Sequence, residues 1–184
     1  MSAGESVEPE EVVAFWREAG REKWFKKDAD FDRAIAERFG DLHAEIAAGR
    51  KADWAKTAEG ALALILVLDQ FSRNMFRDSP KAFAQDAVAS EFARAATAAG
   101  FDRAVEPMLA HFFHMPFMHS ERIADQERSV LHFHAIGSDE GLKFARIHEQ
   151  AIRRFGRFPH RNPILGRHMT PAEQAYLGDG GFVG

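Results

Sequence analysis

Residues Ala61 to Leu68 read ALALILVL, eight apolar residues without interruption. An α-helix turns about 100° per residue, so this run leaves no polar face on a helix that contains it. Only a helix surrounded by other helices can bury such a cylinder. The run is also far shorter than the roughly 18–20 apolar residues needed to cross a bilayer. Thr57 is placed to cap its start, and the spacing predicts a central helix over 58–71.

The rest of the chain supplies helices to surround it. Pro9 opens a first helix that turns Val12, Val13, Phe15 and Trp16 inward and ends near Gly20. Phe31, Ile35, Phe39, Leu42 and Ile46 form one apolar stripe on a second helix, over 28–48. Ser79 and Pro80 are read as the start of a helix running to Gly100, and the segment 102–115 as a helix broken by Pro116. Helices over 120–136 and 139–155 follow, stopped by Gly137 and Gly156. Thr170-Pro171-Ala172-Glu173 matches a capping box ahead of a short terminal helix. No stretch shows a sustained strand period. The expected fold is all-α, a single compact domain over 1–184 of antiparallel helical hairpins, with flexible ends at 1–8 and 179–184.

Composition narrows the function classes. The absence of cysteine excludes disulfides, zinc-thiolate sites and thiol nucleophiles. A net charge of -4 provides no basic field for nucleic acid. The start MSAGESVEPEE lacks the basic and apolar segments of a secretory signal, so the expected location is the cytoplasm, with no membrane partner.

Three polar segments interrupt this pattern. In LDQFSRN, Asp69 stands at the carboxyl end of the apolar helix, where the helix dipole disfavours an acid, and Arg73 is one turn on. The two form either a structural pair or part of a site. In HFFHMPFMHSE, His111 and His114 are read on one helix face, while His119, Ser120 and Glu121 start the next helix, where free N–H groups can take an anion. The alternative is a cap, a first-turn acid and a packed imidazole. From Gln150 to Ala172 there is no acid, and Arg153, Arg154, Arg157, Arg161 and Arg167 concentrate positive charge. Arginine suits two-pronged recognition of carboxylate or phosphate, so these residues either lock the loop to internal acids or bind an anionic ligand.

His114, His119, Glu121, His148 and His160 offer metal-ligand types, but their spacing matches no helix-borne signature, and neither metal nor cofactor is expected. Trp16, Trp24, Trp54 and Tyr176 are read as packing residues before a groove lining. Ser72 and Ser120 lack the setting of a nucleophile.

The strings FWREAG, KWFKKDADFD, LALILVLDQFSRNMFR, FFHMPFMHSE and RRFGRFPHRNPILGR together resemble a bacterial family of unknown function, the domain-of-unknown-function family 924. The resemblance spans nearly the whole chain. It implies a tetratricopeptide-like helical fold and transfers no activity, cofactor or site residue. The residues themselves point first to a binding module for a small anionic ligand or acidic peptide, with Asp69, Arg73, His114, His119, Arg154, Arg157 and Arg161 as ligand-binding candidates. The alternative is an enzyme on a small anionic substrate, with His119, Glu121 and His160 as acid–base candidates. The oligomeric state is not legible.

Overall fold

The computed structural model describes residues 6–184, and among these every regular element is helical. Packing divides the chain into two compact units. One runs through Arg77 and resumes over Lys81–Phe113, and the other joins Asp78–Pro80 to His114–Gly184.

In the first unit, α1 (Pro9–Trp24) begins with Pro9 in its first turn and breaks its helical geometry at Gly20, whose φ is 67°. That value falls in the left-handed region, which glycine enters without the penalty a Cβ would bring. α2 (Ala29–Ala47) is capped by Asp28, whose carboxylate accepts from the amides of Asp30 and Phe31. The apolar rod starts as α3 (Ala58–Ile65), with the Thr57 side chain accepting from the Gly60 amide. It passes through a π-helical segment over Leu66–Phe71 and ends as α4 (Ser72–Met75).

Every residue from Gly60 to Ser72 is buried, as an all-round apolar helix requires. α1 and α5 (Asp86–Ala98) pack on α3, and α2 packs on the π segment and α4. Trp16 links these layers, its ring 5.6 Å from Phe71 and 5.4 Å from Phe112. Trp24 donates its indole N–H to the Trp16 carbonyl at 2.7 Å. Trp16, Trp24 and Trp54 are all buried, so none lines a groove. The packing converges on the central rod, and tetratricopeptide-like stacking is not confirmed by it.

Two helix starts differ from expectation. Pro80 opens a single 3-10 turn over Pro80–Phe83, and α5 begins only at Asp86. After the four-residue α6 (Pro107–Ala110) and a 3-10 turn over His111–Phe113, Pro116 lies in the first turn of α7 (Met115–His119). Proline has no N–H to give, and the first helical turn needs none, so Pro116 starts a helix here.

The second unit contains α7, α8 (Ile123–Ala135), α9 (Asp139–Phe155) and α10 (Pro171–Gly178). α8 and α9 form a hairpin turned at Gly137, with a core of Met118, Phe133 and Ala145. A second small core joins Ala151, Ile152 and Phe158, with Phe182 packed against it. The Thr170–Glu173 capping box is present in both directions.

Candidate functional site

The LDQFSRN segment runs from the π turn into α4. A π turn displaces backbone hydrogen bonds from their α-helical partners, and side chains here take up the carbonyls concerned. The Ser72 hydroxyl donates to the Leu68 carbonyl at 2.7 Å, and Arg73 Nη1 donates to the Asp69 carbonyl at 2.9 Å. Arg73 also lies 3.0 Å from the fully buried Asp69 carboxylate and grips Asp86 with both terminal nitrogens, at 2.9 and 3.0 Å. Gln70 donates to the other Asp69 oxygen at 2.6 Å.

His43 Nε2 lies 2.8 Å from Ser72 Oγ. Because the one hydroxyl proton goes to Leu68, the imidazole must donate through Nε2–H. Burial holds this histidine below its usual range. A serine that is wholly buried and gives its proton to a carbonyl is no nucleophile, so the Ser72–His43 contact is architecture. Nearby, Asp32 accepts from Asn74 at 2.7 Å and from the Arg77 guanidinium.

The second unit gathers a different group. His119 ends α7, and His148 lies on the buried face of α9, one turn from Ala145 and Ile152. His160 and Arg161 belong to the 3-10 turn Pro159–Arg161, and Phe182 follows α10. The ring of His148 lies 6.4 Å from His119, 5.5 Å from Phe158 and 4.1 Å from Phe182. Phe182 also meets His160 at 4.9 Å, edge to face. Arg161 lies 4.5 Å over the Phe158 ring and donates to the His119 carbonyl at 3.1 Å, meeting the negative end of α7.

His148 Nδ1 is 2.8 Å from the Phe144 carbonyl. A carbonyl can only accept, so Nδ1 carries the proton. Burial pushes the imidazole down to about 3, against the Phe144 hydrogen bond, and the positive surroundings of His119, Arg161 and His160 add to the depression. His148 is therefore neutral at pH 7 and too weak a base to take up a proton there.

The acids around this group are already committed. Glu121 accepts from Arg167 at 2.7 and 2.9 Å and from the Phe158 amide at 2.8 Å. Burial alone would raise its pKa, but Arg167, the Phe158 amide and the charge of Arg161 together lower it. Glu173, which is buried where Glu121 is partly exposed, takes Arg157 at 2.6 and 2.9 Å and stays ionised well below the ordinary carboxylate range. The Arg157 hydrogen bond is the largest cause. A shallow open depression of about 550 Å³ is lined by Glu121, Ile123, Ile152, Arg153 and Gly156. Its two charged members are both ion-paired, Glu121 to Arg167 and Arg153 to Glu127 and Glu149.

The family model for a bacterial protein of unknown function (DUF924) matches residues 12–181. The chain belongs to this family. It is also similar to the solved structure of a protein of unknown function from Agrobacterium tumefaciens. The two are 43% identical with a TM-score of 0.89, over 93% of this chain and 97% of that one. No match was found among curated proteins.

Of the residues singled out in this DUF924 chain, His119, Glu121, His160 and Arg161 come together in the second unit, joined by His148 and Arg167. Arg157 is bound to Glu173 and to the His168 carbonyl. Arg154 is exposed and lies over the rings of Phe155 and Tyr176 at 4.9 and 5.5 Å. Asp69 and Arg73 form their network within the first unit.

Two local expectations are corrected. His111 and His114 share no helix face, because His111 opens a 3-10 turn while His114 precedes α7 and stacks on His132 at 3.3 Å. Ser120 and Glu121 lie before α8, which starts at Ile123. The Ser120 hydroxyl donates to Asp125 at 2.7 Å, and the residue at the cap position of α8 is Arg122. Among the described residues, no three His, Asp or Glu side chains are placed to hold a metal. No helix among the described residues is long and apolar enough to cross a membrane.

That an arginine of the acid-free run pairs with Glu121 was legible in the chain as one of several pairings; that it is Arg167, and that His148 is central, was not. Both depend on which distant segment each side chain meets.

Proposed function

We propose that the protein is a binding module that holds a small anionic ligand at the His119, His148, His160 and Arg161 cluster. One observation carries this reading: four nitrogen-bearing side chains from three elements converge where the adjacent acid, Glu121, is already bound by Arg167. The cluster therefore sets imidazole and guanidinium nitrogens beside an acid that Arg167 already holds with both terminal nitrogens. Imidazoles and a guanidinium suit an oxyanion, either a free small molecule or the carboxylate of an acidic peptide. A cysteine-free chain of this composition fits a role in the cytoplasm.

A ligand that binds only the folded form raises its stability by an amount set by concentration over Kd. Phosphate, sulfate and a small dicarboxylate, tested singly at constant ionic strength, are expected to raise the melting temperature saturably. The rise should shrink in His119→Gln and His160→Gln variants. If no anion raises the melting temperature beyond a matched chloride control, the reading is wrong.

A further inference from the structure

α9 holds His148 on its buried side and a different surface on its exposed side. At about 100° per residue, Lys143, Arg146, Gln150 and Arg154 fall within an arc of about 80°, and Lys143 to Arg154 spans about 16 Å along the axis. All four side chains are exposed. Ile147 lies at the edge of this arc, with Phe144, 46% exposed, beside it.

The positive charge of the stripe is uncompensated. Among the described residues none of Lys143, Arg146 and Arg154 is in an ion pair, whereas the adjacent Arg153 is held by Glu127 and Glu149. Glu149 is the one acid between Lys143 and Arg154, and Arg153 engages it at 2.8 and 3.1 Å. Asp139, one turn before Lys143, forms no ion pair with it and ends the basic stretch. On a chain of net charge -4 such a stripe is a local reversal of sign.

Arg154 is also held in place. Its guanidinium lies over the rings of Phe155 and Tyr176, at 4.9 and 5.5 Å. Stacking occupies the flat face and leaves the N–H edge to meet oxygens of a partner.

We infer that the exposed face of α9 docks an acidic peptide segment of a partner protein. Its carboxylates meet Lys143, Arg146 and Arg154, and an apolar side chain rests on Ile147 and Phe144. Arginine and aromatic residues are what protein-binding patches are enriched in. An extended peptide advances about 3.3 Å per residue and turns alternate side chains to one side, so about five or six residues with acids at alternate positions cover the stripe. This surface is independent of the His148 cluster, and either stands without the other.

Other polyanions fit less well. Nucleic-acid backbones are held by many basic contacts, and these cations are few on a chain of net negative charge. Anionic membranes are met by clusters of about four to eight Lys or Arg.

The test is fluorescence anisotropy of the full chain with a labelled peptide in which glutamates alternate with serines around one leucine. Binding is expected, weaker at higher salt, and lost when glutamine replaces every glutamate. Arg146→Glu and Arg154→Glu are each expected to weaken it about tenfold. Phe144→Ala should weaken it less. Lys26→Glu, which makes the same charge change at an exposed site outside α9, should leave it nearly unaltered. Arg154 packs on two rings, so its variant can disturb the fold locally; Arg146, which has no such packing, keeps the test sound.

No binding of the glutamate peptide overturns the docking surface. Equal weakening by Lys26→Glu and Arg146→Glu overturns it too, since net charge alone then accounts for the binding. If polyuridylate or phosphatidylserine vesicles bind through Arg146 more tightly than the peptide does, the peptide is the wrong partner.

Discussion

Glu121 holds Arg167 with both carboxylate oxygens, at 2.7 and 2.9 Å, and the same carboxylate accepts the Phe158 amide at 2.8 Å. Arg167 in turn donates to the Phe158 carbonyl and to Asn162. One acid thus closes the irregular stretch between α9 and α10 from both ends. Both partners are partly exposed, with side chains 24% and 29% accessible, so solvent screening limits the pair's worth. Glu121→Ala is expected to cost about 1–3 kcal/mol, through the orphaned Phe158 amide as well as the lost pair. In a urea unfolding series, the double variant with Arg167→Ala should cost less than the sum of the singles. Strict additivity would show the two residues to be uncoupled.

Arg73 serves two acids, and its loss should be more damaging than the loss of either. Arg73→Ala leaves the wholly buried Asp69 without its cation, and breaking such a pair from one side costs about 3–5 kcal/mol. Asp86→Ala leaves Arg73 still engaged with Asp69 and should cost appreciably less. Chemical denaturation of the two variants at pH 7 compares them, and a larger loss in Asp86→Ala would contradict the arrangement.

Two helical glycines should respond to alanine with opposite sign. A Cβ on Gly40 in α2 meets nothing within 4 Å, so Gly40→Ala is expected to stabilise by about 0.5–1 kcal/mol. At Gly141, near the start of α9, a Cβ would come within 2.2 Å of the Phe133 ring. Gly141→Ala therefore overpacks the α8–α9 hairpin and should destabilise by about 1–3 kcal/mol despite alanine's better helix propensity. Thermal melts of both variants suffice, and a stabilised Gly141→Ala would show that the ring moves aside freely.

Acid should weaken the protein well before its carboxylates are titrated. Burial holds His43, His111 and His148 below their usual range, His148 at about 3. Between the unfolded value near 6.5 and the lower folded value, the unfolded chain binds more protons, so stability falls as pH drops. Each such histidine contributes up to about 1.4 kcal/mol per pH unit in that window. Glu121 and Glu173, whose folded values are depressed, add a further loss only below about pH 4.5. Urea midpoints are expected to fall from pH 7 to pH 5, with a shallower fall in His148→Gln. A flat profile over that range would contradict the buried neutral histidines.

Opening the roof of the cluster should move the same group. Phe182→Ala removes a ring 4.1 Å from His148, admits water and is expected to raise its pKa toward the ordinary value. Proton NMR titration of the imidazole reads this directly, and an unchanged midpoint would mean that Phe182 contributes little to its burial.

Local chemistry was readable from the chain wherever one element contains its own reason. The ALALILVL run demanded burial on every side. Thr57 and Thr170 announced helix starts, and Gly137 and Gly156 announced stops, because capping depends on residues within one turn. The reach from Asp69 to Arg73 followed from helical spacing for the same reason.

Prolines were less legible, since their effect depends on where in a helix they fall. Pro116 is permitted in a first turn and forbidden in an interior, and only the packing of neighbouring segments selected the former.

The polar group followed the same division. By itself the sequence determined an all-helical chain, a buried central rod and an acid-free run of arginines in want of partners. Only the tertiary structure decided that Arg157 and Arg167 are bound to Glu173 and Glu121, while Arg161 gathers with His119, His148 and His160. Pairing across 16 to 46 residues is set by how helices pack, through the burial of apolar faces, and no local spacing encodes it.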